Sequence, residues 1–331
     1  MQKAECSNFK NLSRRELLAS AAAIAVGGGF ISSSELQAQN VTSTQTNKGN
    51  ALPTKQFRFS LNTSTIRGQN LTVPEQVDVA SKAGYDVIEP WIGDLRKYVE
   101  HGGNLDDLRK QISDKGLAVE SSIGFANWIV EDAAAREKAL EEAKRDMEMI
   151  ALIGGKRIAA PAAGATKDPK FDHRKVAERF RALLELGDKT GITPELEIWG
   201  FSTNLTQLGE CLLIASEADH PKALVLADVY HLYKGGSPFP GLRFLPAEIA
   251  PVVHMNDYPL ITPDKIGDAD RIYPGDGKAP LTEILTILAH GGPRVLSLEL
   301  FNRDYWKQPA LDVAKTGLEK MKRAVEAAKL A

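Results

Sequence analysis

Cysteine is almost missing from the 331-residue chain, which has only Cys6 and Cys211. Cys6 falls in a leader-like N-terminus. The mature chain would then keep Cys211 alone, which excludes an internal disulfide and a cysteine-based zinc site. Cys211 lies in an apolar helical run and reads as plain core. An excess of either charge is missing too: the formal net charge is −2. That gives no electrostatic case for nucleic acid or for an anionic membrane. The apolar stretch from Leu17 to Ile31 falls short of the roughly 20 residues that span a bilayer. No Gly-rich phosphate turn follows the first predicted strand, where Asn62-Thr63-Ser64-Thr65 stands instead. This weighs against an open doubly wound sheet, the second-ranked architecture. With 43% apolar and 25% charged residues, what remains is an ordinary globular composition.

The N-terminus reads as an export signal. Ser13-Arg14-Arg15-Glu16-Leu17-Leu18 resembles a twin-arginine motif, followed by a short apolar core and the small Ala38. Residues 1–39 are therefore expected to be a signal peptide. Such export, the resemblance implies, carries folded proteins with a cofactor already in place. Residues 40–55, rich in Asn, Thr and Lys with Gly49 and Pro53, read as a flexible tether. The expected location is periplasmic or extracellular, with no stable membrane insertion once the signal is removed.

From residue 56 to 331 short apolar strands alternate with amphipathic helices. The predicted strands are Phe57–Leu61, Asp86–Glu89, Leu117–Ser121, Arg157–Ala160, Glu195–Trp199, Ala223–Asp228, Val252–Asn256 and Val295–Leu300. Thr72-Val73-Pro74-Glu75 carries a capping box and opens the first helix, and Gly84 stops it. Further helices are predicted from Leu105, Ala133, His173, Leu205, Leu281 and Leu311, with a Pro/Gly-rich crossover after Asp228. Eight strand-led units in one domain of this size fit an α/β protein of the (β/α)8 barrel type.

Such barrels place their chemistry at the C-terminal ends of the strands. The last four predicted strands each put one metal-capable side chain into an otherwise apolar run: Glu197, Asp228, His254 and Glu299. A buried carboxylate is costly unless paired, hydrogen-bonded or bound to metal. Three converging carboxylates repel one another, and a divalent cation answers that. The alternative, four separately satisfied polar groups, weakens with each successive strand. Hard oxygen donors with one imidazole favour Mn2+, Mg2+ or Co2+, with Zn2+ a poorer fit. One ion per chain is expected, acting as a Lewis acid on a carbonyl.

These residues lie in Leu196-Glu197-Ile198-Trp199-Gly200, Asp228-Val229-Tyr230-His231, His254-Met255-Asn256-Asp257 and Ser297-Leu298-Glu299-Leu300-Phe301. Together they resemble the xylose isomerase-like barrel superfamily, and within it the sugar phosphate isomerase/epimerase group. That group includes ketose 3-epimerases, hydroxypyruvate isomerase, and inosose and dehydroshikimate dehydratases. The resemblance implies that Glu197 and Glu299 both bind the metal and act as an acid/base pair. It also implies that His231 and Arg271 contact substrate and that Glu89 shapes the pocket. Arg271 precedes Pro274-Gly275-Asp276-Gly277, where the family more often has Glu at the position of Asp276. Asn62 and Trp128 complete the expected substrate-binding set, and Trp199 is a further stacking candidate. His101, His173, His220 and His290 receive no role.

The expected substrate is a small carbohydrate-like molecule. Export favours a free sugar, keto-sugar or cyclitol over a sugar phosphate. Two enzyme classes compete: an isomerase or epimerase exchanging a proton beside a metal-bound carbonyl, and a lyase expelling a β-hydroxyl from the same enediolate. The third reading is a non-catalytic sugar-binding barrel, against which stands the presence of all four ligand candidates. Homo-oligomer formation is compatible with any of these.

Overall fold

The computed structural model describes residues 56–329; the expected signal peptide and tether lie outside the described residues. Seven parallel strands alternate with helices: β1 (Phe57–Asn62), β2 (Val87–Glu89), β3 (Arg157–Ala160), β4 (Thr193–Glu197), β5 (Leu224–Asp228), β6 (Val252–Met255) and β7 (Arg294–Leu298). They form one sheet in the order β2-β1-β7-β6-β5-β4-β3. The predicted strand Leu117–Ser121 does not form a ladder. Its region makes isolated bridges at Val87–Ala118 and Trp91–Ile123, while the Ala159 N–H bonds the Ser122 carbonyl at 2.9 Å. This extended segment therefore hydrogen-bonds to both β2 and β3 and carries the ring between them. It stays irregular because β2, three residues long, gives it little backbone to pair with.

Helices α1 (Val73–Ala83), α2 (Ile92–Glu100), α3 (Leu105–Asp114), α4 (Ala133–Leu152), α5 (His173–Thr190), α6 (Leu208–Glu217), α7 (Val229–Lys234), α8 (Leu281–His290) and α9 (Ala310–Lys329) make the outer layer. Their starts follow from side-chain caps. Glu75 Oε2 accepts from the Thr72 N–H at 2.8 Å, as the sequence predicts. Asn104, Asp132 and Asp172 cap α3, α4 and α5 through their side-chain oxygens, each worth about 1 kcal/mol. Gly84 and Gly191 end α1 and α5 at φ 93° and 77°, where any other L-residue would be strained. Two helices escape the sequence pattern. One is α2, and the other is α7, a one-and-a-half-turn helix where a crossover is expected. None of the described helices is long and apolar enough to cross a membrane.

The main core lies between sheet and helices, anchored by buried groups such as Phe180, Leu196, Leu285 and Met321. A separate small cluster of Val87, Ile123, Ala159, Leu226, Val252 and Val295 fills the barrel interior. Side chains alternate along a strand with period two. The residues two further on from four of these are therefore Glu89, Asp228, His254 and Ser297, and Glu299 follows Ser297. An apolar plug thus supports a polar layer at the C-terminal end of the sheet.

Candidate metal centre and active site

Register alone brings the polar layer together. Asp228 pairs with His254 across β5 and β6, and His254 pairs with Ser297 across β6 and β7. Asn62 of β1 pairs with Glu89 of β2. Glu197 ends β4 beside Leu226. Asp228, His254 and Glu299 each offer a donor atom, and these atoms lie within 4.8 Å of one another. All three residues are 0–3% exposed. The Glu197 carboxylate stands at the edge of this group, its Oε1 4.0 Å from His254 Nδ1. From the same nitrogen, Asp228 Oδ2 is 3.6 Å away and Glu299 Oε2 3.2 Å away.

Each side chain is held from behind. His254 Nε2 faces Glu89, 3.1 Å from Oε2. That leaves Nδ1 aimed at the three carboxylates and without a hydrogen bond of its own among the described residues. Asp228 caps α7 by accepting from the His231 N–H at 3.0 Å. It also accepts from Asn256 Nδ2 at 3.1 and 3.2 Å. Arg271 Nη1 bridges Asp228 Oδ2 and Glu299 Oε2, both at 2.8 Å, while its Nη2 reaches Asp268 and His231 Nε2. His231 Nε2 must then accept, so its proton sits on Nδ1, an atom with no partner.

The electrostatics follow from burial and proximity. Burial pushes the Glu197 carboxyl up to about 8, with the neighbouring carboxylates of Glu299 and Asp228 adding to the rise. Burial works against the Asp228 carboxylate most strongly, but Arg271, His231 and His254 together outweigh it and hold Asp228 well below the usual range. His254 would lose its charge to desolvation, yet Glu299 and Glu89 pull it well above the ordinary imidazole value. His231 is driven down to about 4, by burial first and by the Arg271 charge second.

This donor set fits a divalent cation. The free Nδ1 of His254 and the unpartnered Glu197 Oε2 are buried polar atoms that nothing among the described residues satisfies. Hard oxygens and one imidazole around a single point suit Mn2+, Mg2+, Co2+ or Zn2+. The residues that would hold it are Asp228, His254 and Glu299, with Glu197 alongside.

Several expected substrate contacts have other work. Trp128 is buried in the core, donating to the Pro161 carbonyl at 2.9 Å and packing on Phe180. The expected substrate contact is therefore a core residue. Asn62 is also spent within the protein. Its amide donates to Glu89 and Glu299 and its oxygen accepts from Trp91 Nε1 and the Ser64 N–H. Glu89 lies under the cluster, bonded to Asn62, Ser297 and His254, so it orients protein groups rather than shaping an open pocket. Arg271 is inside the cluster and 1% exposed. Asp276 turns outward to Lys320.

Other groups at the site were not singled out from the sequence. Glu195 is fully buried two residues before Glu197. Its carboxyl, bonded to Ser121 at 2.7 Å, is pushed up to about 7 by burial. Period two from Glu197 signals it. Asn256 and Ser297 are likewise legible in the quoted motifs. An aromatic collar is legible only at Trp199: Trp91 contacts Phe125 and Phe301, Phe125 contacts Trp199, and Phe201 lies between Trp199 and His231. Asp257 accepts from the N–H groups of Tyr258, Gly275, Gly277 and Ala279 and so folds the loop after Arg271.

Comparison with known proteins agrees with this architecture. The zinc-bound structure of the protein called IOLI superposes with a TM-score of 0.75 over 81% of this chain and 98% of that one, at 21% identity. An L-ribulose 3-epimerase gives 0.66 over 82% and 96%, at 16% identity. Among curated sequences, a 3-dehydroshikimate dehydratase of Pseudomonas putida is 26% identical over 254 residues, 76% of this chain. The match spans only 39% of that longer protein, and the same holds for the dehydratase of Pseudomonas aeruginosa. An inosose isomerase of Bacillus velezensis is 26% identical over 259 residues, 76% of this chain and 91% of the relative. Residues 77–324 match the model of the xylose isomerase-like TIM barrel, and the chain belongs to that family.

Proposed function

We propose that this protein is a divalent-metal-dependent isomerase or epimerase of a free sugar, keto-sugar or cyclitol. The observation that carries the reading is the placement of two glutamates, Glu197 and Glu299, beside one unpartnered imidazole nitrogen in a buried polar layer. A bound divalent ion would supply Lewis-acid polarisation of the substrate carbonyl. The chain's own residues do the rest. Glu197, buried at the edge of the cluster with its Oε2 unpartnered among the described residues, can take or return a proton at the carbon beside the carbonyl. Glu299 serves as its counterpart. Arg271 keeps Asp228 ionised. His231 stays neutral and offers the N–H of Nδ1 to a substrate oxygen. The aromatic collar limits water at the reacting carbon. The inosose isomerases that align over nine-tenths of their length favour this reading.

A lyase is the second reading, favoured by the two dehydratase relatives. The test is solvent deuterium incorporation at the carbon beside the carbonyl, run with free keto-sugars and inososes. Exchange without elimination supports the isomerase; exchange coupled to water loss supports the lyase. Full retention of the substrate hydrogen removes proton abstraction and makes a metal-assisted hydride shift the better account. Glu197→Gln and Glu299→Gln should each lower turnover about 10²- to 10⁴-fold, with metal content measured in parallel. We further propose that the enzyme acts outside the cytoplasm, a reading that rests on Arg14 and Arg15 and the apolar run behind them.

A further inference from the structure

The end of the barrel opposite the metal cluster has a charged recess of its own. A cavity of about 180 Å³ lies among the starts of β1, β3 and β7. Val295 of the apolar plug lines it, and the plug stands between this recess and the polar layer. The volume is that of about six water molecules, room for a small hydrated ion. Arg58, Glu120, Arg157 and Arg294 also line the cavity, and Lys156 adds its ammonium, 2.9 Å from Glu120 Oε1. Four cations thus gather around one carboxylate.

That carboxylate is fully engaged. Glu120 is 5% exposed. Its Oε1 accepts from Arg58 Nη1 at 2.6 Å and from Lys156, and its Oε2 accepts from Arg157 Nη1 at 3.2 Å. The cations are not. Arg157 bonds Glu120 through Nη1 alone, and its Nε and Nη2 form no hydrogen bond among the described residues. Arg58 likewise uses only Nη1. Arg294 is 4% exposed. Its Nε and Nη1 donate to the carbonyls of Gly292, Leu245 and Ala250, while its Nη2 has no partner. Two further acids act from outside the cavity, Glu195 on Arg157 and Glu248 on Arg294. Neither lines the recess. Like charges gathered in one recess repel unless an anion joins them. Guanidinium edges with spare N–H groups fit an oxyanion through paired hydrogen bonds.

We propose that the N-terminal mouth of the barrel binds a small oxyanion of the phosphate class, held by Arg157 and Arg58 with Lys156 beside them. The ion ties β1 to β3 across the irregular segment that carries Glu120, where the ladder is incomplete. It braces the barrel at the end remote from the chemistry, so the proposal is independent of which reaction the metal cluster performs.

The test is calorimetric titration of the protein with inorganic phosphate near neutral pH and low salt, with chloride at equal ionic strength as the control. We expect one saturable site, at least about tenfold tighter for phosphate than for chloride, and a thermal unfolding midpoint that climbs with phosphate concentration. Arg157→Gln and Arg58→Gln should each weaken binding about tenfold. Arg58 is exposed at the rim, so its variant carries the test if Arg157→Gln fails to fold. Glu120→Gln removes the competing negative charge and should tighten binding, which a purely structural ion-pair cluster would not do. Arg323→Gln, on the exposed face of α9 and paired with Glu319, should bind as the wild type does. No saturable binding at millimolar phosphate, no preference over chloride, weaker binding in Glu120→Gln, or binding that survives both arginine substitutions overturns the proposal. The last outcome would put the ion at another basic site or at the metal.

Discussion

Replacing Glu89 by Gln removes one negative charge from behind His254 and changes little else in shape. In the native protein Glu89 Oε2 is 3.1 Å from His254 Nε2 and also accepts from Ser297 Oγ at 2.6 Å. Both partners of the pair are 0–1% exposed, so solvent and salt screen their attraction little. The carboxylate fixes which nitrogen carries the proton and leaves Nδ1 pointing at the cluster. Losing such a carboxylate behind a metal-binding histidine typically weakens metal affinity 10- to 100-fold, or about 1.4 to 2.7 kcal/mol. Full burial places the expected loss toward the upper end of that range. The assay is titration of metal-free protein with Mn2+ or Co2+ against a competing chelator at fixed pH. Ser297→Ala is the control. It removes a hydrogen bond to the same oxygen without touching the imidazole, so its effect should stay within about threefold. An unchanged affinity in Glu89→Gln, or equal losses in the two variants, would show that His254 does not depend on Glu89 for its orientation.

Glu195 gives a pH signature in the metal-free protein. Its carboxyl is held at about 7 rather than the ordinary 4.5, so above pH 4.5 the unfolded chain releases a proton that the fold retains. Stability is therefore lost as pH rises from about 4.5 to 7, by about 3 kcal/mol in all. Glu195→Gln should be more stabilising at pH 8 than at pH 5 by that order, and denaturant curves showing the same difference at both pH values would refute it. Gly200→Ala should destabilise by about 1–3 kcal/mol, because a Cβ there would collide with the His231 carbonyl and the Gly235 nitrogen, both backbone atoms; an unfolding midpoint like that of the wild type would count against it. Arg14→Lys combined with Arg15→Lys should keep the precursor in the cytoplasm, as read by cell fractionation, and normal export of that variant would remove the twin-arginine reading.

Sequence determined the repeating unit and the identity of the polar strand ends. Apolar runs of four to six residues, helix caps such as Asp132 and Asp172, and glycine stops such as Gly84 are local signals, and local signals survive in the linear chain. Glu197, Asp228, His254 and Glu299 stood out for the same reason, each being polar in an apolar run. The irregular segment around Leu117–Ser121 was less legible, because ladder formation depends on the length of the neighbouring β2, which its own residues do not encode.

Only the tertiary structure decided which polar groups are free and which are already used. Asn62 and Trp128 read as substrate contacts in sequence, yet Asn62 satisfies Glu89, Glu299 and Trp91, and Trp128 is sealed against Phe180. Arg271 reads in sequence as a substrate contact, and the turn organised by Asp257 delivers it into the cluster, where Asp228 and Glu299 meet it. Arg67 carried no sequence signal. Its stacking on Trp91, 24 positions away, without an ion pair among the described residues, exists only in the fold. Hydrogen-bond capacity is finite and shared across the fold, so the partners a side chain has left to offer are a property of the packed molecule and not of the residue or its neighbours in the chain.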